Sequence, residues 1–535
     1  MRRWNGWGSE SVDYPLPPSA ADYLVGMVGK GASVPDASLE SVLESVPTSR
    51  LPPHPLVRQD PTERLMHARG QSLPDWIALR SGNVGAFPDG VAYPDNDEDV
   101  RSLIDYARET GACLIPYGGG TSVVGHINPR IDQPPSLTVD MQHMSQLLEL
   151  DECSLHATFG TGVRGPNLET MLESHGYTLG HYPQSFELST LGGWIATRSS
   201  GQQSLHYGRI EDHFAGGHVE TPQGPMDLPC FPATAAGPDL RHLILGSEGR
   251  LGIITRATIR IRPLPETDQF HAIFFRDWAS GMDAVRTIAQ EEVPLSMMRL
   301  SDELETQTTL MLAGRERLVS LADRGLRALD YGDLRCLLLI GATGSPRKVK
   351  TAIRQATALA RRLGGLFTGA MIGKMWRKSR FTTPYLRNTL WNYGYALDTL
   401  ETAVPWAKVP ATVDLVRQAL RHGLEPVGAR VLAFAHLSHI YRNGASTYFT
   451  YLFPRAAAPD ETLSKWQTLK TLASEAIVEQ GGTISHQHGV GRDHAPYLTA
   501  EKGSVGMDML TSLVRETDPD QLINPGIMLP DREIT

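Results

Sequence analysis

The sequence predicts an α+β fold, and three observations carry that prediction. Short strand patterns between residues 90 and 262 are interrupted by three loops rich in glycine, serine and threonine. From Phe270 onward strand and helix patterns alternate, which suggests an open sheet covered by helices. The chain then closes on a helix pattern at 503–516 and the turn Asp518-Pro-Asp-Gln-Leu-Ile-Asn-Pro-Gly526.

The elements follow in order. Residues 1–60 are rich in proline and serine and read as extended chain, with a helix at 19–29 capped by Ser19. A helix pair over 64–80 breaks at Ser72-Leu-Pro74. A strand at 91–94 precedes a helix at 97–109, whose first turn carries acidic residues at its positive end. Strands at 113–117, 136–141, 147–151 and 155–159 lead to a helix at 165–175. A strictly alternating strand at 257–262 ends at Pro263-Leu-Pro265. Beyond it lie strands at 270–275, 297–300 and 337–341, and helices at 282–291, 310–329 and 348–363. Gly341-Ala-Thr-Gly344 lacks a following Gly-Lys-Ser/Thr and reads as a turn, and no G-x-G-x-x-G follows a strand, so a Rossmann domain is not supported. The cationic, aromatic run from Lys374 to Phe381 reads as a hinge. A helix at 411–422, a strand pair at 433–441 and 447–452 joined by Arg442-Asn-Gly444, and a helix at 466–479 complete the second half. The expected division is an N-terminal segment 1–80, a domain 81–265, a second domain 266–490 and a closing segment 491–535.

Composition bounds the function. A chain of 535 residues, 41% apolar and 20% charged, is an ordinary globular protein of two or three domains with no need of disulfide staples. Its net charge of −9 argues for no nucleic acid partner, because phosphate backbones demand a basic face. Cys113, Cys153, Cys230 and Cys336 show no C-x-x-C spacing and read as reduced thiols of a cytoplasmic protein. No stretch approaches the roughly 18 apolar residues of a membrane span, and Met1-Arg-Arg-Trp-Asn-Gly-Trp-Gly8 has no apolar run after it. Arg532-Glu-Ile-Thr535 is not a peroxisomal tripeptide.

The loops carry the chemistry. The first follows a strand and contains Pro116, Tyr117, Gly118, Gly119, Gly120, Thr121, Ser122 and Val123. Three consecutive glycines remove every Cβ, so the backbone can lie flush against a ligand, and consecutive amides can hold an anion such as a pyrophosphate. The second runs over residues 179–202, with Gln184, Ser185, Ser189, Thr190, Gly192, Gly193, Thr197, Arg198, Ser199 and Ser200 as candidate contacts. Leu188, Leu191, Trp194 and Ile195 anchor it, and Ser189-Thr190 also reads as a helix cap. The third contains Ser247, Glu248, Gly249, Gly252 and Ile253, again with small residues beside a strand. Together the three loops point to a flavin dinucleotide.

In this order the loops resemble the FAD-binding domain of the vanillyl-alcohol oxidase/PCMH flavoprotein family, and the whole chain is similar to its alkyldihydroxyacetonephosphate synthase branch. The motifs are Trp4-Asn-Gly-Trp7, Pro116-Tyr-Gly-Gly-Gly-Thr-Ser-Val123, Ser189-Thr-Leu-Gly-Gly-Trp-Ile-Ala-Thr-Arg-Ser-Ser-Gly201, Tyr207-Gly-Arg-Ile-Glu-Asp212 and Gly246-Ser-Glu-Gly-Arg-Leu-Gly-Ile-Ile-Thr255, then Leu400-Glu-Thr-Ala-Val-Pro-Trp406, Tyr441-Arg-Asn-Gly-Ala-Ser-Thr-Tyr-Phe449 and Ser485-His-Gln-His-Gly-Val-Gly491. The resemblance implies a PCMH-type two-lobed FAD-binding domain, an α/β cap domain and a C-terminal helical segment that returns to the flavin. It implies exchange of the acyl group of acyl-dihydroxyacetone phosphate for a fatty alcohol, giving an ether lipid, with FAD trapping the substrate through N5 and no net redox change. A lipid-like substrate is thus expected; peripheral membrane contact and a homodimer are left open.

The same resemblance places roles on residues. Tyr448 matches the proton-transferring tyrosine, which nearby cations would depress below the free value of about 10. Arg387 matches the phosphate-binding arginine, a planar fork suited to that group. His486 and His488 match an active-site run of three histidines, in which Gln487 replaces the middle one. His181 and Arg299 fall at positions the family uses around the site. No metal is expected, because His486, His488 and His494 lack the spacing of a zinc site. Covalent flavin attachment through His126 or His181 stays open. The sequence does not locate an acyl tunnel; Met297, Met298, Phe449 and Leu452 are candidates that core packing explains equally well. The alternative function is an FAD-dependent 2-hydroxyacid dehydrogenase or oxidase, with Arg387 holding a carboxylate and a histidine as base.

Overall fold

A computed structural model describes residues 1–312 and 323–529 of the chain. A four-stranded sheet sets Val57–Arg58, Gly90–Ala92, Ser136–Asp140 and Cys113–Tyr117 side by side, the last three strands parallel. The helix Asp97–Thr110 joins Gly90–Ala92 to Cys113–Tyr117 and buries Val100, Leu103, Ile104 and Ala107 beneath this sheet. Asn96 caps it and Asp97, Glu98 and Asp99 occupy its first turn, as the sequence predicts.

A second, antiparallel sheet has five strands ordered Leu147–Asp151, His156–Gly160, Ile253–Arg260, Phe214–Thr221 and Gly224–Leu228. Between Ala257 and Arg260, buried and partly exposed residues alternate, the period-2 pattern of a strand with one covered face. The helices Gly165–Glu173 and Leu191–Thr197 bury their apolar faces against this sheet. Leu498, Met507 and Val514 of the helix Leu498–Thr517 join the same cluster.

The second half forms one seven-stranded sheet, ordered Leu366–Gly369, Thr267–Phe275, Cys336–Gly344, Met297–Ser301, Leu432–Ile440, Gly444–Pro454 and Tyr395–Pro405. Every pairing in it is antiparallel, so the strand–helix alternation of the sequence does not produce a parallel sheet. The helices Trp278–Gln290, Pro346–Arg362, Val409–His422 and Pro459–Glu479 all contribute to its main core.

Four local expectations are corrected. The helix Pro18–Val28 begins after Pro17 with no side-chain cap, so Ser19 lies within it: proline's fixed φ starts this helix instead. Gly341–Gly344 is the end of a strand and not a turn, because it pairs with Thr267–Phe270. The 374–381 run is no hinge: Met371–Ser379 is a helix whose Gly373 packs on the Phe270 backbone. The helix expected at 310–329 lies partly outside the described residues; Glu303–Leu312 and 323–328 are helical. Among the described residues no helix is long and apolar enough to cross a membrane.

Candidate active site

The three loops meet on one surface. A Cβ on Gly118 would strike the Thr190 hydroxyl, one on Gly119 would strike the Leu188 carbonyl, and one on Gly249 would lie 3.0 Å from Pro116. The Glu248 amide donates to the Ala196 carbonyl at 2.9 Å and the Gly246 amide to that of Ile195 at 3.1 Å. Among the described residues, no backbone amide from Gly118 to Val123 donates a hydrogen bond. Gly119 and Gly120 are buried. Buried amides are nearly always paired, and a row of unpaired ones in a turn without Cβ atoms is an anion nest. That row fits the pyrophosphate of FAD.

The side chains of the other candidate contacts are mostly engaged in hydrogen bonds within the protein. Ser189 Oγ donates to the Ser185 carbonyl and accepts the Trp194 indole N–H at 2.8 Å. Thr190 caps the helix by accepting the Gly193 amide, and Thr197 Oγ1 donates to the Gly193 carbonyl. The Gly192 amide donates to the Thr161 carbonyl at 2.8 Å. Arg198 ends that helix in a left-handed conformation, φ +52°. Ser199 and Ser200 meet His181 Nε2 and His439 Nδ1, each at 3.1 Å. Gln184 is exposed, and Ile253 is buried with Leu522 and Ile523. Ser247 is buried, and Gly252 has φ +142° with no room for a Cβ beside Glu220.

Glu248 ties the third loop to the C-terminal segment. Its carboxylate accepts the Val490 and Gly491 amides and lies 3.2 Å from His126 Nε2. His126 Nδ1 meets Ser122 Oγ at 2.7 Å, while its buried Nε2, though near Glu248, makes no hydrogen bond. Arg250, fully buried, pairs with Asp518 at 3.3 Å, and Leu114 bridges to Ile523. The C-terminal segment is thereby tied to the first and third loops.

The seven-stranded sheet supplies the other face. Tyr448 lies in register with Glu401 on one side and His436 on the other. Its ring stacks on His436 at 5.1 Å and meets the edge of His488 at 5.6 Å, and its hydroxyl donates to Thr399 Oγ1 at 3.0 Å. The expected depression of its pKa is overturned. Burial pushes the phenol above its ordinary value and Glu401 and Asp398 add to that, while the Thr399 hydrogen bond and Arg387 only oppose. Tyr448 is a neutral phenol. Arg299 donates to Glu305 at 2.7 Å, Glu305 meets His436, and the chain of contacts ends on Tyr448.

Arg387 Cζ lies over Trp76, 4.4 Å from the ring centre, and its Nη1 donates to the Gln71 carbonyl at 2.5 Å. Its Nε and Nη2 are buried without a hydrogen-bond partner. An arginine so held keeps two donors of its fork aligned for an acceptor that the protein does not itself provide.

The histidines are neutral, not cationic. Burial holds His486 well below its usual range and lowers His488 as well. His486 Nε2 lies 2.7 Å from Arg209 Nη1 and 2.6 Å from the Tyr441 hydroxyl; because a guanidinium only donates, Nε2 accepts and Nδ1 carries the proton. That Nδ1 is buried and unpaired. Glu401 accepts the Gln487 and His488 amides at 2.6 and 2.8 Å, so the loop is fixed through its backbone. His494 Nδ1 meets the Gly489 carbonyl. His181 is fully buried against Trp194, with Nε2 at Ser199 and Nδ1 without a hydrogen-bond partner.

The acyl-tunnel candidates lie in core clusters. Met298 and Phe449 sit in the main core, Met297 in a second cluster and Leu452 in a third, all buried by their neighbours. Residues the sequence reading missed are Gln71, Arg209, Glu401 and Lys470. Lys470 is 4% exposed on the helix Pro459–Glu479, and its charge acts on Asp493, whose carboxyl burial raises to about 6. Only the Leu400-Glu-Thr and Tyr207-Gly-Arg motifs signalled any of these.

Known proteins are similar to this chain in sequence and fold. An FAD binding domain family matches residues 88–226, and the C-terminal domain of FAD linked oxidases matches residues 264–528. An alkyldihydroxyacetonephosphate synthase of Dictyostelium discoideum is 32% identical over 89% of this chain and 78% of its own length. A solved alkyldihydroxyacetonephosphate synthase superposes with a TM-score of 0.83 over 98% of both chains at 28% identity. A substrate-bound p-cresol methylhydroxylase shares the fold alone, with a TM-score of 0.67 at 13% identity over 89% of this chain and 94% of its own.

Proposed function

We propose, from the premise that this chain belongs to the alkyldihydroxyacetonephosphate synthase family, that it exchanges the acyl group of an acyl-dihydroxyacetone phosphate for a fatty alcohol. The observation that carries the substrate assignment is the Arg387 guanidinium, fixed at Nη1 and over Trp76 yet unpaired at Nε and Nη2. A phosphate satisfies both free donors at once. FAD, held on the Gly118–Val123 amides, supplies an electrophilic ring when bound. Tyr448, a neutral phenol hydrogen-bonded to Thr399, can give its proton to a substrate oxygen and, as the phenolate so formed, take one back from the reacting carbon. His486 offers its unpaired Nδ1–H to a substrate oxygen, while Arg209 and Tyr441 keep that tautomer in place. The division at about residue 265 belongs to the same proposal, and sheet membership changes there, which supports it.

The experiment is incubation of FAD-loaded protein with palmitoyl-dihydroxyacetone phosphate and hexadecanol. Palmitate and an ether-linked product appear together if the reading holds. A bleached flavin on adding a 2-hydroxyacid, without ether product, would replace it with the oxidase reading.

A further inference from the structure

The roles above leave the Trp4-Asn-Gly-Trp7 motif without a task, yet residues 2–9 join the two halves of the site. Arg2 Nη2 donates to the Gly119 carbonyl at 3.2 Å and to the Tyr117 hydroxyl at 3.0 Å. A trans peptide carries its C=O and the following N–H on opposite sides. Holding the Gly119 carbonyl toward Arg2 therefore turns the Gly120 amide away from it, into the row of unpaired amides. Gly120 has φ +68°, and a Cβ there would take the place of the Tyr117 hydroxyl and the Arg2 guanidinium. This glycine is needed to admit the arginine.

The same strap grips the opposite half. Asn388, next to Arg387 on the helix Leu386–Asn392, accepts the Trp7 amide at 3.1 Å and donates to the Trp7 carbonyl at 3.0 Å. The Trp7 side chain is buried in the same core as Trp76, the platform under Arg387. Gln71 links everything: its amide donates to the Ser122 carbonyl at 2.6 Å, its side chain to the Gly6 carbonyl at 3.4 Å, and its own carbonyl receives Arg387. The Ser9 amide donates to the Tyr385 hydroxyl, which in turn donates to Glu187 in the second loop at 3.0 Å. A plain structural brace would need burial alone; these contacts instead orient a particular peptide of the glycine turn and the residue beside Arg387.

We propose that Arg2 and the Trp7–Asn388 pair are positioning residues: Arg2 sets the Gly118–Gly120 turn for the FAD pyrophosphate, and the pair sets Arg387 for the substrate phosphate. This rests on the flavin and phosphate assignments made above. The test uses full-length Arg2→Ala, Arg2→Lys and Asn388→Ala proteins. Each is measured for thermal midpoint, for FAD Kd by fluorescence titration of the apoprotein, and for KM and kcat toward palmitoyl-dihydroxyacetone phosphate at saturating FAD. Loss of a charge-assisted hydrogen bond raises the Arg2→Ala FAD Kd about tenfold with KM unchanged. Arg2→Lys recovers part of that loss, since an ammonium can reach one of the two acceptors. Asn388→Ala raises KM about tenfold and leaves the FAD Kd within about twofold. If Arg2→Ala fails to fold, Arg2→Lys carries the test, and its expected Kd still exceeds that of the parent. A folded Arg2 variant with the parent's FAD Kd overturns the proposal, as does an Asn388→Ala protein that loses thermal midpoint and leaves KM where it was. A parent protein that takes up no FAD would sink the flavin reading itself. One that binds FAD but shows no synthase turnover would sink the synthase reading and leave the Arg2 arm standing.

Discussion

The flavin face and the cap face of this site are built by opposite means. On the flavin face the backbone is the binding group: the amides from Gly118 to Val123 are unpaired, while the hydroxyls of Ser189, Thr190 and Thr197 serve the protein's own structure. On the cap face the side chains are the working groups, and each is buried among partners that fix it: Arg387 by Gln71 and Trp76, Tyr448 by Thr399 and His436, His486 by Arg209 and Tyr441. A backbone site tolerates exchange of its polar side chains and fails when a Cβ enters. A side-chain site fails at single functional groups.

The comparison can be broken at several points. Tyr448→Phe removes only the hydroxyl, so kcat falls by about 10²- to 10⁴-fold with FAD content unchanged; loss of flavin together with turnover would show that the two faces are not separate. Arg387→Lys keeps the charge and loses the fork, so KM for the phosphorylated substrate rises about tenfold or more in steady-state assays.

A third prediction concerns acid. Burial lowers His213 to about 4 and His439 to about 3 from an ordinary 6.5. The unfolded chain takes up these protons below about pH 6.5 and the folded chain does not, so stability present above that pH is lost as pH falls toward 4. Urea unfolding at pH 5 and pH 7.5 should differ by a few kcal/mol, and His439→Gln should reduce that difference by up to about half, the His213 share remaining. The smallest effect sharpens the comparison most. Ser189→Ala costs about 1 kcal/mol of stability through Trp194 and leaves the FAD Kd within about twofold. A large loss of flavin affinity would mean that the hydroxyl serves the cofactor after all.

The flavin face was legible because glycine runs have few uses and the strand, turn and helix signals around them are local. The alternation at residues 257–262, the Asn96-Asp-Glu-Asp start of a helix and the Thr190 cap all act within a few residues. The cap face was read through motif resemblance, and its electrostatics were misread. Nothing local tells that Tyr448 sits between Glu401 and His436, because those neighbours arrive from strands 47 and 12 residues away in the chain. Burial then reverses the expected sign of its pKa shift and removes the charge from His486 and His488. Arg2 and Gln71 were invisible for the same reason: their partners lie at Gly119, Ser122 and Arg387, and no spacing in the sequence encodes those contacts.

The most direct test follows oxygen-labelled hexadecanol through an anaerobic turnover with palmitoyl-dihydroxyacetone phosphate while the flavin spectrum is recorded. The account predicts the label in the ether product, one palmitate released per ether formed, and a flavin that is oxidised at the end as at the start. A reduced flavin with the label left in free alcohol would contradict it.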